Sequence, residues 1–299
     1  MILITGGAGF IGSHLAERLC DEYDVVIVDN VNTGNLDNLK EFEDKIMLHK
    51  MSILDDLKPI LKDVEVIFHL AAQINVRKSI EDPFFDLDVN AKGTLNLLEA
   101  SYDRVEGIIF ASSGGAVYGE PKYFPVDERH PTDPISPYGI SKLAAEKYLY
   151  YYNFTFGIKT CSLRYANVYG PRQDPKGEAG VISIFLDNLF CGRDLIVNGD
   201  GSQTRDFLYV DDVVDANLSA LKNCDGVYNI GTGKETSINE IIEIILQISG
   251  RKINTRHKDP IEGEVKRIYL DINKAREKLG WIPKTEIKEG IKKLYDSIK

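Results

Sequence analysis

The chain has 299 residues, 43% hydrophobic and 27% charged, an ordinary globular composition with length for two modest domains. Its 36 basic and 46 acidic residues leave a net charge of −10, which disfavours non-specific binding to nucleic acid or anionic membrane, so an anionic substrate would need a local basic pocket. No apolar run approaches the ~20 residues of a membrane span, and the N-terminus opens on a strand without a basic leader.

The first element is the apolar run Ile2-Leu3-Ile4. It enters Thr5-Gly6-Gly7-Ala8-Gly9-Phe10-Ile11-Gly12 and then a stretch of helical spacing through Leu19. A strand that turns through glycines into a helix leaves N–H groups free at the helix N-terminus, where the partial positive charge suits a pyrophosphate. Gly6, Gly9 and Gly12 sit three apart, and Gly7, Gly9 and Gly12 also satisfy G-x-G-x-x-G. Glycine serves there because a Cβ would block the turn, the phosphate or the packing of helix on strand. The second run, Val25–Val28, ends in Asp29, near the ~20-residue offset at which an acid holds a ribose hydroxyl. That carboxylate would repel a 2′-phosphate, and Asn30 follows it with no adjacent arginine, so NAD is expected over NADP.

Next come a strand at Ile46–Leu48, a short helix near Leu54–Leu61 and a strand from Val64 to Leu70 that runs into Ala71-Ala72. A long helix is expected from about Phe84 to Tyr102, a strand at Gly107–Ser112, a helix from about Pro137 to Phe154 and a strand at Lys159–Leu163. Strands alternating with helical crossovers predict an α/β fold, a doubly wound parallel (Rossmann) sheet with ligands outside the carboxyl ends of its strands. The pattern changes after about Asn167. Residues 170–177 read as loop, followed by a helix at Val181–Leu189, a strand at Leu195–Val197 and a closing amphipathic helix near Ile287–Ile298. The reading is therefore a Rossmann domain over 1–167, with a return segment near 206–232 that includes Val227–Ile230, and a smaller C-terminal α/β substrate domain over 168–299.

Tyr138 and Lys142 open the helix after Ser136-Pro137. A four-residue offset puts them on one face, one turn apart. The ammonium of Lys142, helped by a cationic nicotinamide, would pull the phenol down from about 10 towards neutrality, making Tyr138 a candidate general base or acid. The same spacing recurs at Tyr118/Lys122 and Tyr295/Lys299. Pro121 interrupts the first of these, and the second lies far from the strand ends. A hydroxyl at the end of the Ile108–Ser112 strand completes the set; Ser112 and Ser113 both qualify, and Ser113 is preferred.

These residues, with His69-Leu70-Ala71-Ala72, Asp88-Val89-Asn90, Ser112 to Gly119, Arg164 to Pro171, Gly199-Asp200-Gly201, Arg205-Asp206-Phe207 and Val210-Asp211-Asp212, resemble the extended short-chain dehydrogenases/reductases of the NAD-dependent sugar-nucleotide epimerase/dehydratase group. Within it the pattern is most similar to UDP-glucose 4-epimerase. The resemblance spans nearly the whole chain. It implies 4-epimerisation of a UDP-hexose through a transient 4-keto sugar. Tyr138 would move the 4-hydroxyl proton, Ser113 or Ser112 would hold that oxygen, and Lys142 would also hold the nicotinamide ribose.

By the same resemblance, NAD would lie against Gly6, Gly9, Phe10, Ile11 and Gly12 at the pyrophosphate, and against Asp29, Asn30, Thr33 and Gly34 at the adenosine ribose. Ser52 and Ile53 fall near the adenine; Leu70, Ala71, Ala72, Gln73, Asn90 and Tyr165 complete the cofactor set. Asn167, Gly180, Val181, Val197, Gln203, Arg205 and Arg267 would meet the nucleotide sugar. Two departures stand out: Ser52 replaces the family's usual aspartate, and its arginine before Gly-Asp is replaced within Pro260–Glu264, leaving Arg267 or Lys266 as substitutes. Ile268 falls where the family gates room for a 2-acetamido group.

The five histidines have no metal-ligand spacing, so no metal is expected. His14 reads as helix surface or packing, and Asp127-Glu128 as a solvated loop. Cys20, Cys161, Cys191 and Cys224 are far apart without a C-x-x-C, and read as buried thiols of a reducing, cytoplasmic compartment. The aromatic excess over Lys147–Phe156, on a helix the family uses to pair subunits with the one near Asp88–Tyr102, implies a homodimer. A 4,6-dehydratase is the nearest rival, but such enzymes place an acid pair where Gly114-Gly115 stands here. An N-acetylhexosamine or uronate 4-epimerase, a decarboxylase and a catalytically idle NAD-binding regulator are the further alternatives.

Overall fold

The computed structural model describes residues 1–175, 180–223, 225–260 and 265–299. Thirteen strands are described: β1 (Ile2–Thr5), β2 (Val25–Asp29), β3 (Ile46–Lys50), β4 (Val66–His69), β5 (Gly107–Ser113), β6 (Lys159–Tyr165), β7 (Asn167–Tyr169), β8 (Leu195–Asn198), β9 (Thr204–Arg205), β10 (Phe207–Tyr209), β11 (Gly226–Ile230), β12 (Thr236–Ser237) and β13 (Thr255–Lys258). Seven form one parallel sheet in the order β11-β6-β5-β4-β1-β2-β3. Every residue of β1 and β2 is buried, which is why both read as unbroken apolar runs: a parallel sheet is covered on both faces. The chain winds from β1 outward to β3 and then back through β4 to β6, so the switch point lies between β1 and β4. The crevice at their carboxyl ends is where a ligand belongs. The segment at 226–230 does return to this sheet, on β6.

One face of the sheet packs against the helices Phe10–Leu19 and Val210–Lys222, and residues 272–281, with Trp281, join that core. The other face packs against Gly93–Ser101 and Pro137–Phe156. A third apolar cluster gathers the helices Val181–Phe190, Ile238–Ser249 and Ile287–Ile298 with β8 and β10. The helix Pro137–Phe156 is bounded as its sequence dictates. Ser136 caps it by accepting from Gly139 N, proline occupies its first turn, and Gly157 ends it in the left-handed region at φ 76°. The expected helix near 84–102 is a relay of Pro83–Leu87, a π turn at Asp88–Lys92 and Gly93–Ser101. No helix of the described residues is long and apolar enough to cross a membrane.

Three expectations are corrected. Residues 54–61 are turns, with only a short 3-10 turn at Leu61–Asp63. The amides of Ser52, Leu54 and Lys58 donate to the side chains of Asp55, Ser52 and Asp56, a local competition that defeats the helix. Cys191 is exposed and Cys20 half-buried, while Cys161 is buried; Cys224 lies outside the described residues. Glu128 is half-buried and accepts from Asn229 N at 2.8 Å, so it ties a loop to the edge strand β11. His14 behaves as expected, packing half-buried with Nε2 3.0 Å from Pro171 O.

A buried ion pair joins the helix to the sheet. Arg164 on β6 donates from Nε to Glu146 Oε1 at 2.9 Å and from Nη2 to Oε2 at 2.6 Å, both side chains nearly inaccessible. Its Nη1 donates to Tyr118 OH, which donates to Asn229 Oδ1 on β11. Removing one partner leaves an uncompensated buried charge. Arg164→Met is therefore expected to lower unfolding free energy by about 3–5 kcal/mol, and urea titration of the two proteins checks it.

Candidate active site

β1 delivers the chain into Gly6, at φ 72°, where a Cβ would stand 2.7 Å from Ala71 N. At Gly12 it would stand 2.2 Å from Gly6 O. Neighbouring backbone thus excludes a side chain at both positions. Gly9 caps the following helix with no side-chain acceptor, so the first-turn amides at Phe10 and Ile11 are unspent by any cap. At the end of β2, Asp29 is buried, and accepts Ala8 N at 2.9 Å and Val31 N at 2.7 Å. Asn30 and Thr33 beside it are exposed, and Gly34 is half-buried, where a Cβ would press on the Asp29 carboxylate at 3.0 Å. Ser52 is half-buried, and Ile53 is buried against Gly93.

The loop Leu70–Gln73 is clamped from below. Leu70 N donates to Thr5 O, and Ala71 N donates to Thr5 Oγ1 at 3.2 Å. Ala72 is half-buried beside them. Gln73 N donates to Asn90 Oδ1 at 2.9 Å, and Asn90 Nδ2 returns a bond to Gln73 O at 2.9 Å. His69 completes the clamp, and its tautomer follows from its neighbours. Thr94 Oγ1 donates to Asn90 O at 2.6 Å, so it accepts from His69 Nε2 at 2.9 Å. His69 Nδ1 therefore accepts from Thr5 Oγ1 at 2.7 Å. Burial, with the nearby charge of Lys142, pushes this imidazole down to about 3, so it stays neutral.

Tyr138 lies half-buried in the first turn of its helix, its amide donating to Ser79 Oγ at 3.2 Å. One turn on, Lys142 is 3% exposed. Its Nζ donates to Ala111 O at 2.9 Å and lies 4.7 Å from the centre of the Phe110 ring. Burial lowers it to about 8, against the opposing pull of Asp86 and Glu146. The pleat of β5 separates the two serines. Ser112 is buried and donates to Glu146 Oε1 at 2.5 Å. Ser113 is half-buried, its Oγ has no hydrogen-bond partner among the described residues, and it lies 4.0 Å from the Cβ position at Gly115. Asn167 Oδ1 lies 3.9 Å from the same point. Structure thus brings Ser113, Asn167 and the Tyr138/Lys142 turn to the same strand ends, and sets Ser112 beneath them as a strut.

The other side chains named from sequence have the following partners. Tyr165, the last residue of β6 and paired with Ser113, is buried and donates from its hydroxyl to Asn217 Oδ1 at 3.0 Å. Asn90 spends both polar ends on Gln73, Asp86 and Ser141, which makes it a brace. Val197 is buried in the third apolar cluster, and Gln203 Nε2 donates to Asn198 O at 2.8 Å. Gly180 caps the helix that Val181 begins, again without a side-chain acceptor. Arg205 donates from Nη1 to Thr204 O at 2.8 Å. Arg267 is held in a bidentate pair by Glu235, both bonds 2.6 Å, with its guanidinium 4.5 Å from the Phe124 ring centre. Ile268 is buried with Val117, Tyr118, Val126 and Leu270. Of the segment that replaces the family arginine, residues 261–264 lie outside the described residues. Asp86, Glu146 and Arg164 were not singled out from sequence. The Lys142–Glu146 offset of four, repeating that of Tyr138–Lys142, and an arginine inside the apolar strand were the signals available.

The family profile described as GDP-mannose 4,6 dehydratase matches residues 3–294. A protein of Methanocaldococcus jannaschii is 54% identical over 305 residues, covering 100% of this chain and 98% of its own. The UDP-glucose 4-epimerase of Mycolicibacterium smegmatis is 45% identical, covering 98% of this chain and 97% of its own. Among solved structures, the UDP-glucose 4-epimerase of Thermotoga maritima with UDP-glucose superposes with a TM-score of 0.95 at 44% identity, covering 99% of this chain and 98% of that one. The UDP-glucuronic acid 4-epimerase of Bacillus cereus with UDP-glucuronic acid and NAD superposes with a TM-score of 0.93 at 35% identity, over 99% and 98% of the two chains.

The neutral His69 carries a stability signature. Its folded value of about 3 lies below the unfolded 6.5, so the stability it contributes is complete above 6.5 and is lost as pH falls towards 3. Between pH 7 and 5 this loss is about 2 kcal/mol. Urea titrations at the two pH values are expected to show a pH dependence that is smaller by that amount in His69→Gln.

Proposed function

The chain belongs to the GDP-mannose 4,6 dehydratase family of extended short-chain dehydrogenases/reductases, and on that premise we propose that it is an NAD-dependent 4-epimerase of UDP-hexoses of the UDP-glucose/UDP-galactose type. The observation that carries the reading is the unpartnered Ser113 hydroxyl at the end of β5, over Gly114-Gly115 and beside the strand position where Lys142 docks. That arrangement can hold an oxygen and move its proton, and it offers no acid pair for eliminating water across C5–C6. We assign cofactor binding to 1–167 with the return near 206–232, substrate binding to 168–299, and the protein to the cytoplasm.

The residues of the crevice fit NAD. Uncapped first-turn amides at Phe10 and Ile11 face a loop whose glycines admit close approach, and the buried Asp29 closes the adjacent strand. When bound, NAD would take the hydride from C4 of the sugar and give it back to the other face. Tyr138 takes the 4-hydroxyl proton as the oxygen becomes a carbonyl, and returns it afterwards. Lys142, charged and docked on Ala111 O, favours the phenolate. Ser113 steadies the oxygen in both states, and Arg205 supplies positive charge for the diphosphate in an otherwise acidic protein.

Purified protein incubated with UDP-galactose, UDP-N-acetylgalactosamine and dTDP-glucose, first without added NAD, is expected to convert UDP-galactose to UDP-glucose with no net NADH. A 4-keto-6-deoxy product, or no turnover with NAD supplied, would overturn the reading. Tyr138→Phe is expected to lower kcat by about 10²–10⁴.

We also propose a homodimer. On the helix Pro137–Phe156, Tyr150 is 66% and Phe154 79% exposed, and Phe84 on the neighbouring helix Pro83–Leu87 is 79% exposed. That apolar surface is more than a solvated face needs. Light scattering at micromolar concentration should give twice the chain mass; the monomer mass would refute the dimer.

A further inference from the structure

Asp86 is 1% exposed, on the short helix Pro83–Leu87 that packs against Pro137–Phe156. Its Oδ1 accepts from Gln73 Nε2 at 2.9 Å and from Asn90 Nδ2 at 3.0 Å. Its Oδ2 is buried with no hydrogen-bond partner. Burying an orphaned carboxylate oxygen is costly unless a nearby positive charge compensates it. Asn90 Nδ2 also donates to Ser141 Oγ at 3.2 Å, so one carboxamide spans from Asp86 to the residue beside Lys142. Lys142 has the complementary problem. Its Nζ has Ala111 O as acceptor and no ion pair among the described residues.

We propose that Asp86 is the fixed counter-charge of Lys142, a positioning residue that keeps the ammonium charged inside the sheet's crevice. The other groups facing Lys142 cannot take that part. From β5 come the Phe110 ring and the Ala111 carbonyl. From β4 comes His69, which is neutral. On the same helix, Tyr138 is half-buried one turn before, and Glu146 one turn after is already spent on Arg164 and Ser112. Asp86 alone among the acids around Lys142 has an oxygen uncommitted. Its field, larger than that of the already paired Glu146, opposes the burial that draws Lys142 down. Its other oxygen holds Gln73 and Asn90, and so fixes the loop against which the cofactor is placed.

The inference rests on the role given to Lys142 above, so the test reads the lysine directly. In lysine-¹³C-labelled protein without substrate, the Cε shift of Lys142 is followed against pH, with Lys142→Met identifying the resonance. In Asp86→Asn, which retains an Oδ1 for Gln73 and Asn90, the midpoint is expected to fall by about one pH unit or more. The alkaline limb of kcat should move the same way, with KM for the UDP-sugar within about twofold. An unmoved midpoint in a folded variant overturns the proposal. Should Asp86→Asn fail to fold, the wild-type Asp86 carboxyl resonance decides: a step at the Lys142 midpoint supports the pairing, and its absence overturns it. Failure to turn over any sugar nucleotide would sink the functional reading and leave the lysine titration interpretable.

Discussion

The Glu146–Arg164 pair is the constraint on which the site depends. A helix laid across a sheet can slide or roll by a fraction of a turn at small cost when only apolar side chains hold it. A bidentate buried pair removes that freedom, because any slip strands two charges in a dry interior. Glu146 also accepts from Ser112, so the same carboxylate fixes the pleat of β5 and thereby which serine faces outward. Counting back four residues from Glu146 gives Lys142 on Ala111 O, and four more gives Tyr138. The register of Tyr138 and Lys142 is set from behind.

Around Lys142 the polar groups are arranged so that His69 adds no second charge beside the ammonium. His69 is kept neutral and gives its single ring proton to Thr94, while its other nitrogen accepts from Thr5. A charged imidazole there would compete with Lys142 for the Asp86 field and push the ammonium further down. The directed chain from Ala71 N through Thr5, His69 and Thr94 to Asn90 O therefore does two things. It holds the loop Leu70–Gln73 on β1, and it leaves the local field to Lys142.

How much of this was legible depended on whether the information was local. The glycine turn, Asp29 and the Tyr138/Lys142 offset are short-range patterns whose chemistry follows from spacing, and the doubly wound parallel sheet follows from the alternation of runs. The choice between Ser112 and Ser113 needed the pleat and the partner of Ser112, which lies 34 residues away. Asp86 and Arg164 needed the tertiary packing of separate elements, because a single buried charge has no periodicity to betray it. The missed helix at 54–61 is the opposite case. There the local signal was misread, since Ser52, Asp55 and Asp56 cap turns more readily than they extend a helix.

The same pairing logic bears on where substrate charge can be met. The Thr204–Arg267 bridge sets those two side chains on one side, and Glu235 satisfies both, accepting from Thr204 Oγ1 and clasping the guanidinium. Arg205, the next residue on β9, alternates to the opposite face. Arg267 is thus neutralised by a carboxylate and stacked on Phe124, and Arg205 is the cation turned the other way. In a chain of net charge −10, the Arg267 guanidinium is paired with Glu235. The proposed diphosphate contact therefore rests on Arg205, whose Nη1 also donates to Thr204 O.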